Sequence, residues 1–436
     1  MLRRAHRTLL DTPWQIIQVA ETNTPGLYRL WALVGQDLHV VKLTVPRIFY
    51  VNQRLPKADN EGCGVVWRKI NKTLPRSHHA QFLYEYCIPE QVYMEHTNKL
   101  MADLSTPGIE GIYETQVPLD FRAMVQLGCV CVVDRTQVSA ETDSFKLDQL
   151  KFKTVAQYSY LEDSQLRHIF FYHHTSGNKA MYGIFFPVTK KVHVFVVDTV
   201  RSNQMPNMNN LFNAERAHKI ASGTTEDDLP GDNFSFEIKF ETESRVAHRQ
   251  IQKLLQSYKD EKRGPTFLAI QSTHDLLSLT ALMPSLEELP MIPVHVTDVD
   301  GLYNVLDWQR VGSKVMIRHY LGFLLLYRTT LEQSRYFHVP IGNLPSDTTS
   351  FGADLFYARH LQKHNCVLWC SPTLRPDLGG HEFDDNRLVA ELEESSLVTE
   401  INNAGCYESV CVELDIAALA VTTLLQVSLK DGSHIK

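Results

Sequence analysis

The stretch VCVELDIAALAVTTLLQ, from Val410 to Gln426, opens as a strand and then turns into an Ala/Leu-rich helix. Val410, Val412, Leu414 and Ile416 lie on one strand face, Glu413 and Asp415 on the other. A carboxylate at a strand-to-helix junction is where metal-dependent phosphoryl transfer places a ligand, because divalent ions bridging a phosphate need hard oxygen donors on a rigid element. Asp415 is therefore a candidate metal ligand; the plainer reading is a capping or hydrogen-bonding residue. Asp275, in QSTHD ahead of the helical run DLLSLTALM, raises the same choice, and the positive end of a helix accounts for an acid there without a metal. His173 and His174 are adjacent on a strand and point to opposite faces, so they read as core and surface histidines rather than one metal site. Cys129 and Cys131 share a strand face, and two core thiols explain them more simply than a metal does.

These residues need a sizeable scaffold. The chain has 436 residues, 44% hydrophobic and 21% charged, which allows two to four folded domains of ordinary globular composition. No run of eighteen apolar residues marks a membrane span, and Asp11 and Pro13 interrupt the start where a signal peptide needs an apolar stretch. Neither membrane insertion nor secretion is expected. The net charge of −7 gives no overall basic field for nucleic acid, so any such surface must be local. The eight cysteines, at 63, 87, 129, 131, 366, 370, 406 and 411, include no pair with a two-residue spacer, and reduced thiols of a nuclear or cytosolic protein are expected.

Along the chain, DLHVVKLTVPRIFYVNQR reads as strands broken at Pro46, QLGCVCVVDRT as a short apolar strand, and PEQVYMEHTNKLMADL as a helix burying Val92, Leu100 and Leu104. RHIFFYHH is a strand, and AMYGIFFPVTKKVHVFVVD is two more around a Pro-Val-Thr-Lys-Lys turn. Residues 201–233 are polar and Asn-rich and read as a surface excursion, whose Met and Phe side chains would offer a partner-docking loop. ESRVAHRQIQKLLQSYKDEKRG forms a helix with Val246, Ile251, Leu254, Leu255 and Tyr258 as its stripe, ending at Gly264-Pro265; PTFLAIQ follows as a buried strand. SFGADLFYARHLQKHN is a helix capped by Ser350 with Phe351, Leu355, Ala358 and Leu361 on one face. The order is that of a mixed α/β sheet between α+β regions.

Several stretches in this order resemble the B-family DNA polymerases. IYETQVPLDFRAMVQLGC (Ile112–Cys129) is similar to the family's link into its exonuclease domain, and SRYFHVPIGNLPSDTTSFGADLFYARHLQKHNCVLWCSP to its passage from exonuclease to palm. Val410–Gln426 falls on the first polymerase motif. TPWQIIQVAET, LHVVKLTVPRIFYVNQR, LPRSHHAQFLYEY, VVDTVRSNQMP and RPDLGG narrow the resemblance to a second, degenerate copy of the polymerase fold found in the C-terminal half of a large replicative member.

The resemblance implies that the motifs are eroded. Tyr172 and His174 stand where the first exonuclease motif has its two carboxylates. The second motif leaves Gln271, His274 and Asp275; the third leaves Trp308 and Gly312. One remaining acid cannot hold a pair of divalent ions. In the polymerase motif Asp415 matches the ligand, while Ala418, Ala420 and Val421 replace Ser, Tyr and Pro; the second metal-binding Asp would lie beyond Lys436. Asp415 and Asp275 are thus expected to be remnants, with no catalytic or metal site here.

The expectation is a multidomain α/β and α+β protein with a B-family-like N-terminal α+β domain over 1–160, a degenerate ribonuclease-H-like 3′–5′ exonuclease domain over 161–333, and linker helices with the start of a degenerate palm over 334–436. Its implied role is non-catalytic: a nuclear scaffold of a DNA-directed DNA polymerase, docking to the other polymerase subunits and the replicative helicase, with no membrane partner. No cofactor is implied for this piece; Mg²⁺, an iron–sulfur cluster and zinc are implied for the whole family protein. The alternatives are a residual metal-dependent 3′–5′ exonuclease, or a DNA-holding module with weak direct contact, for which WRKINKTLPR (Trp67–Arg76) would offer a stacking platform. KDEKR at 259–263, mixed in sign, reads as a solvated helix end.

Overall fold

Strands β1 (Trp14–Glu21) and β2 (Leu27–Val34) pair antiparallel, and the Gly35–Gln36 turn carries β2 into β3 (Asp37–Thr44) with Val34 opposite Asp37. Gly35 holds φ +65°, the left-handed conformation that such two-residue hairpins require. The computed structural model describes residues 9–56, 66–75, 79–138, 142–162, 165–199, 204–295 and 308–368. The expected break at Pro46 separates β3 from β4 (Arg47–Gln53), which is followed by β5 (Val66–Lys69), β6 (Phe82–Ile88), helix α1 (Glu90–Leu104) and β7 (Ile109–Tyr113). Next come α2 (Leu119–Leu127), β8 (Val130–Val133), β9 (Ser144–Lys146) and β10 (Leu150–Lys153).

By its internal contacts the chain divides into two units, Met1–Pro46 with Pro118–Arg359, and Arg47–Val117 with His360–Lys436. In the second unit the sheet order is β5-β6-β4-β7. Arg47 there forks onto both carboxylate oxygens of Glu90, the first residue of α1, and donates to the Thr115 and Val117 carbonyls. Trp67 is packed edge-on against Tyr84 at 5.2 Å, so its ring belongs to this unit's own core rather than to an open stacking platform. On α1, Leu104 is buried but Val92 is exposed, a departure from the expected stripe; Tyr93 packs in its place, with its ring 6.1 Å from that of Phe49.

The first unit carries two six-stranded sheets. One has the order β10-β8-β1-β2-β3-β9. The other is built from β11 (Arg167–Ser176), β12 (Lys179–Phe186), β13 (Lys191–Val197), β14 (Ser235–Glu241), β15 (Thr266–Ser272) and β16 (Met291–Pro293), in the order β14-β13-β12-β11-β15-β16. β11, β12 and β13 form the expected antiparallel meander, while β15 runs parallel to β11, β16 parallel to β15, and β14 parallel to β13. Its central strands are apolar on both faces, as a sheet covered on both sides must be. Ile169, Phe171 and Tyr182 face one layer and Phe170, Tyr172 and Met181 the other, all nearly inaccessible.

Among the described residues five helices follow β13: α3 (Met208–Ala221), α4 (Ser244–Asp260), α5 (Leu276–Leu282), α6 (Trp308–Phe337) and α7 (Thr348–Lys363). The segment 201–233, expected as a surface excursion, contains helix α3, capped by Asn207, whose Oδ1 accepts from the Asn210 N–H at 3.1 Å. Met208 and Phe212, one turn apart, are buried in the core, so they are not offered to a partner. α4 buries Ala247, His248, Ile251, Leu255 and Tyr258; Val246 of the expected stripe is exposed and Leu254 half-buried. At α7 the cap is Asp347, whose carboxylate accepts from the Ser350 N–H, rather than Ser350 itself. Phe351 and Leu361 are only half-buried on that helix, whereas Leu355 and Ala358 are buried. The division expected at 333/334 falls inside α6, which runs for 30 residues. No described helix is long and apolar enough to cross a membrane.

Candidate functional site

Tyr172 on β11 lies opposite Gln271 on β15 in the parallel pairing, so both occupy one face of the sheet, the face covered by α6. The Tyr172 ring is 6.0 Å from that of His319 on α6, and the Gln271 side chain hydrogen-bonds the His319 ring. At the helix start, Trp308 donates its indole N–H to Asp198 Oδ2 at 3.1 Å, and Lys179 Nζ stands 5.7 Å from the Trp308 ring centre. Gln309 accepts from the backbone N–H of Gln204 at 2.9 Å, anchoring the approach to α3. One turn on, Gly312 and Ser313 are buried, and Ser313 donates to the Gln309 carbonyl at 2.6 Å. Met316 then lies directly against Gly183 of β12.

The structure thus brings Tyr172, Gln271 and Trp308 to the same side of one sheet, beside α6, with Gly312 on the buried stripe of that helix. His174 is buried on β11 two residues after Tyr172 and therefore on that same strand face. A hard divalent ion takes oxygen ligands, and this donor set is a phenol, an amide, imidazoles and an indole. Asp198 is the one carboxylate these contacts include, and it already accepts from Trp308. Among the described residues no group of three His, Cys, Asp or Glu side chains is arranged to hold a metal ion. The face is filled by aromatic packing: Phe170, Phe185 and Tyr320 meet within it, with Phe185 and Tyr320 stacked at 4.1 Å.

The opposite face holds a second cluster that sequence reasoning did not assemble. His173 stacks on Tyr182 at 4.8 Å and shares a hydrogen bond of 2.8 Å with Ser272 Oγ. Tyr182 Oη is 2.9 Å from His248 Nε2 on α4, and the His274 ring meets that of His173 edge-on at 4.9 Å. The Ser272 hydroxyl also accepts from the His274 N–H at 2.9 Å. Burial, then the neighbouring His274, His248 and His174, push the His173 pKa down to about 3. Burial lowers His248 as well and pushes Tyr182 up to about 12. His173, His248 and Tyr182 are therefore neutral at pH 7. Their signal in the sequence was His248 on the apolar stripe of α4, which spacing alone would have shown.

Asp275 is exposed and caps α5: Oδ1 accepts from the Ser278 N–H at 2.8 Å and Oδ2 from its hydroxyl at 2.7 Å. Those bonds hold its carboxyl below the ordinary range. Cys129 and Cys131 are free, buried thiols, with Cys129 pushed up to about 12 by desolvation. At the helix end Lys259 pairs with Glu288 at 2.6 Å, and Arg263 with Glu261. Asp415, Ala418, Ala420 and Val421 lie outside the described residues.

Comparison with known proteins places these residues in context. A family model described as "Domain of unknown function (DUF1744)" matches residues 208–431. The DNA polymerase epsilon catalytic subunit of Emericella nidulans is 31% identical over 98% of this chain and 20% of its own length. Its counterpart from Arabidopsis thaliana is 33% identical, over 98% of this chain and 19% of its own. The chain spans about a fifth of the length of the curated relatives it matches. Among solved structures, the family B DNA polymerase of the archaeon Pyrobaculum calidifontis aligns with 81% of this chain and 51% of its own, with a TM-score of 0.47 and 10% identity.

Proposed function

From the premise that this chain belongs to the DUF1744 family and is homologous along 98% of its length to DNA polymerase epsilon catalytic subunits, we propose that it is a non-catalytic structural module of a nuclear replicative polymerase. The whole protein in this reading is a DNA-directed DNA polymerase, and this region serves chromosome replication through contacts with the other polymerase subunits and the replicative helicase. The family's Mg²⁺, iron–sulfur cluster and zinc belong, in the same reading, to other parts of the longer polypeptide.

The observation that carries the proposal is the composition of the α6-facing site. An antiparallel three-strand meander with two further strands parallel to its first is the strand order of a ribonuclease-H-like domain, and β11–β13 with β15 and β16 follow it. In that lineage reading, 161–333 descends from a 3′–5′ exonuclease, 1–160 from the N-terminal domain, and 334–436 leads into a palm. Three of the four positions that would hold carboxylates then carry Tyr172, His174 and Gly312, and the surviving acid, Asp275, has both oxygens committed to Ser278. A large apolar fold kept without its ligand set supports a role in holding partners rather than in cleaving phosphodiesters.

The test is degradation of a 3′-labelled primer by the purified chain, with Mg²⁺ and then Mn²⁺, beside an Asp275→Ala variant. No digestion by a folded sample is expected. Digestion that vanishes in the variant would show a residual exonuclease and sink the scaffold reading.

A further inference from the structure

Helix α4 lays three cations along its outer face. Arg245, Arg249 and Lys253 follow one another at intervals of one turn, all are exposed, and none makes an ion pair with a described residue. The row points away from the buried stripe of Ala247, Ile251, Leu255 and Tyr258. Four-residue steps put the charges about 6 Å apart in a line roughly 12 Å long. The first turn of α4 contains no acid, and Arg245 is the second helical residue. Arg245 opposes the helix dipole there, beside the N-cap Glu243, which makes no side-chain capping bond, while Arg249 and Lys253 lie in the helix interior beyond the reach of that dipole. The neighbouring acids on β14 are already engaged, Glu241 by Gln250 at 2.6 Å and Glu237 by Lys239 at 3.1 Å.

We propose that Arg245, Arg249 and Lys253 form a docking surface for the phosphate backbone of duplex DNA. Evenly spaced long cations on a straight helix match a polyanion with a regular repeat. Gln252, Gln256 and Ser257 flank the row, and no aromatic side chain stands among them. Single-stranded nucleic acid is gripped by stacking bases on aromatic rings, so the surface selects the duplex. It reads no sequence: it holds register and supplies electrostatic affinity. This surface goes beyond the scaffold reading, and each can fail alone, since one is read by binding and the other by primer degradation.

The experiment is fluorescence anisotropy of a labelled duplex titrated with the 436-residue chain across a salt series, beside the triple variant R245Q/R249Q/K253Q. Neutralising three phosphates gives a log–log salt slope steeper by about 2.7 for the wild-type chain, or about 40-fold weaker binding on raising salt from about 50 to 200 mM. The variant should lose that contribution while its melting temperature is not lowered, because glutamine keeps the helix and removes charge opposed to the dipole. No duplex binding by the wild-type chain, or an unchanged slope in the variant, would overturn the proposal. Tighter binding to a single strand, or to a polyglutamate of equal charge, would overturn it in favour of that partner.

Discussion

The side chain of Asn343 mimics a strand for Val19: its Oδ1 accepts from the Val19 N–H at 2.8 Å and its Nδ2 donates to the Val19 carbonyl at 2.8 Å. β1 has an irregular register between Ile16 and Gln18, and this amide supplies the pairing for Val19 on the side the sheet leaves open. Asn343→Ala removes donor and acceptor together and should cost about 1–3 kcal/mol. Asn343→Asp keeps the shape but loses the donor, and should not rescue. Urea unfolding of both variants checks this, and an alanine variant as stable as wild type would refute it.

Met316 against Gly183 makes a second coupled pair. A methyl group on Gly183 has no room while Met316 holds its place, so Gly183→Ala should destabilise by about 1–3 kcal/mol. Met316→Ala alone leaves a cavity of its own. In denaturant unfolding the double variant should be more stable than the sum of the two losses, since each relieves the other, and strict additivity would show that the two do not share one space.

Arg359 gathers carbonyls from the ends of two helices. It donates to the carbonyls of Met124 at 2.8 Å, Val125 at 3.3 Å, His338 at 2.9 Å and Phe337, and lies 5.2 Å from the Phe152 ring centre. These carbonyls lie at the C-terminal ends of α2 and α6, where a cation is favoured, and that of Met124 also accepts the Gly128 N–H. Burial lowers its pKa to about 10, which leaves it charged at pH 7. Arg359→Met should cost about 2–4 kcal/mol, and Arg359→Lys should recover little because a single ammonium cannot serve carbonyls of two helices. Thermal melts of the three proteins decide it.

The neutral histidine cluster fixes the direction of acid sensitivity. His173 falls from an ordinary 6.5 to about 3 in the folded chain. Between those values the unfolded chain binds the additional proton, so stability is full above pH 6.5 and is lost as pH falls toward 3. His173 alone should remove about 2 kcal/mol between pH 7 and pH 5, on the order of 1.4 kcal/mol per pH step once titration is under way. Melting temperature against pH should flatten over that range in His173→Asn. An equally steep profile in the variant would assign the acid sensitivity elsewhere.

Much of this architecture could be read from the chain. The Pro187–Lys190 turn announced the β12–β13 hairpin, and a continuous apolar run announced β15. The capping role of Asp275 was legible because an acid directly precedes a leucine-rich helical run. Helix α3 was hidden by its asparagines, which are weak helix formers; Asn207 is a cap and Met208 with Phe212 supplies the stripe. The site was legible one strand at a time: the identity of Tyr172, Gln271 and Trp308 could be named, but their convergence depends on pairings between distant segments that no local pattern encodes. The same limit hid Tyr182 and His248, whose contact spans 66 residues of chain.

That distance has a temporal side. β11 sits inside its sheet, yet its parallel neighbour β15 comes 99 residues later, as the His173–Ser272 pair shows. At about 5–20 residues per second a ribosome needs on the order of 5–20 s to deliver the partner. During that interval the edge Phe170–Phe171–Tyr172 is paired on one side alone, by β12 of its own hairpin. The nascent chain therefore passes through a stage in which a buried central strand is an open template. A chaperone that shields this edge during synthesis would raise the yield of native protein, whereas one added after release would come too late.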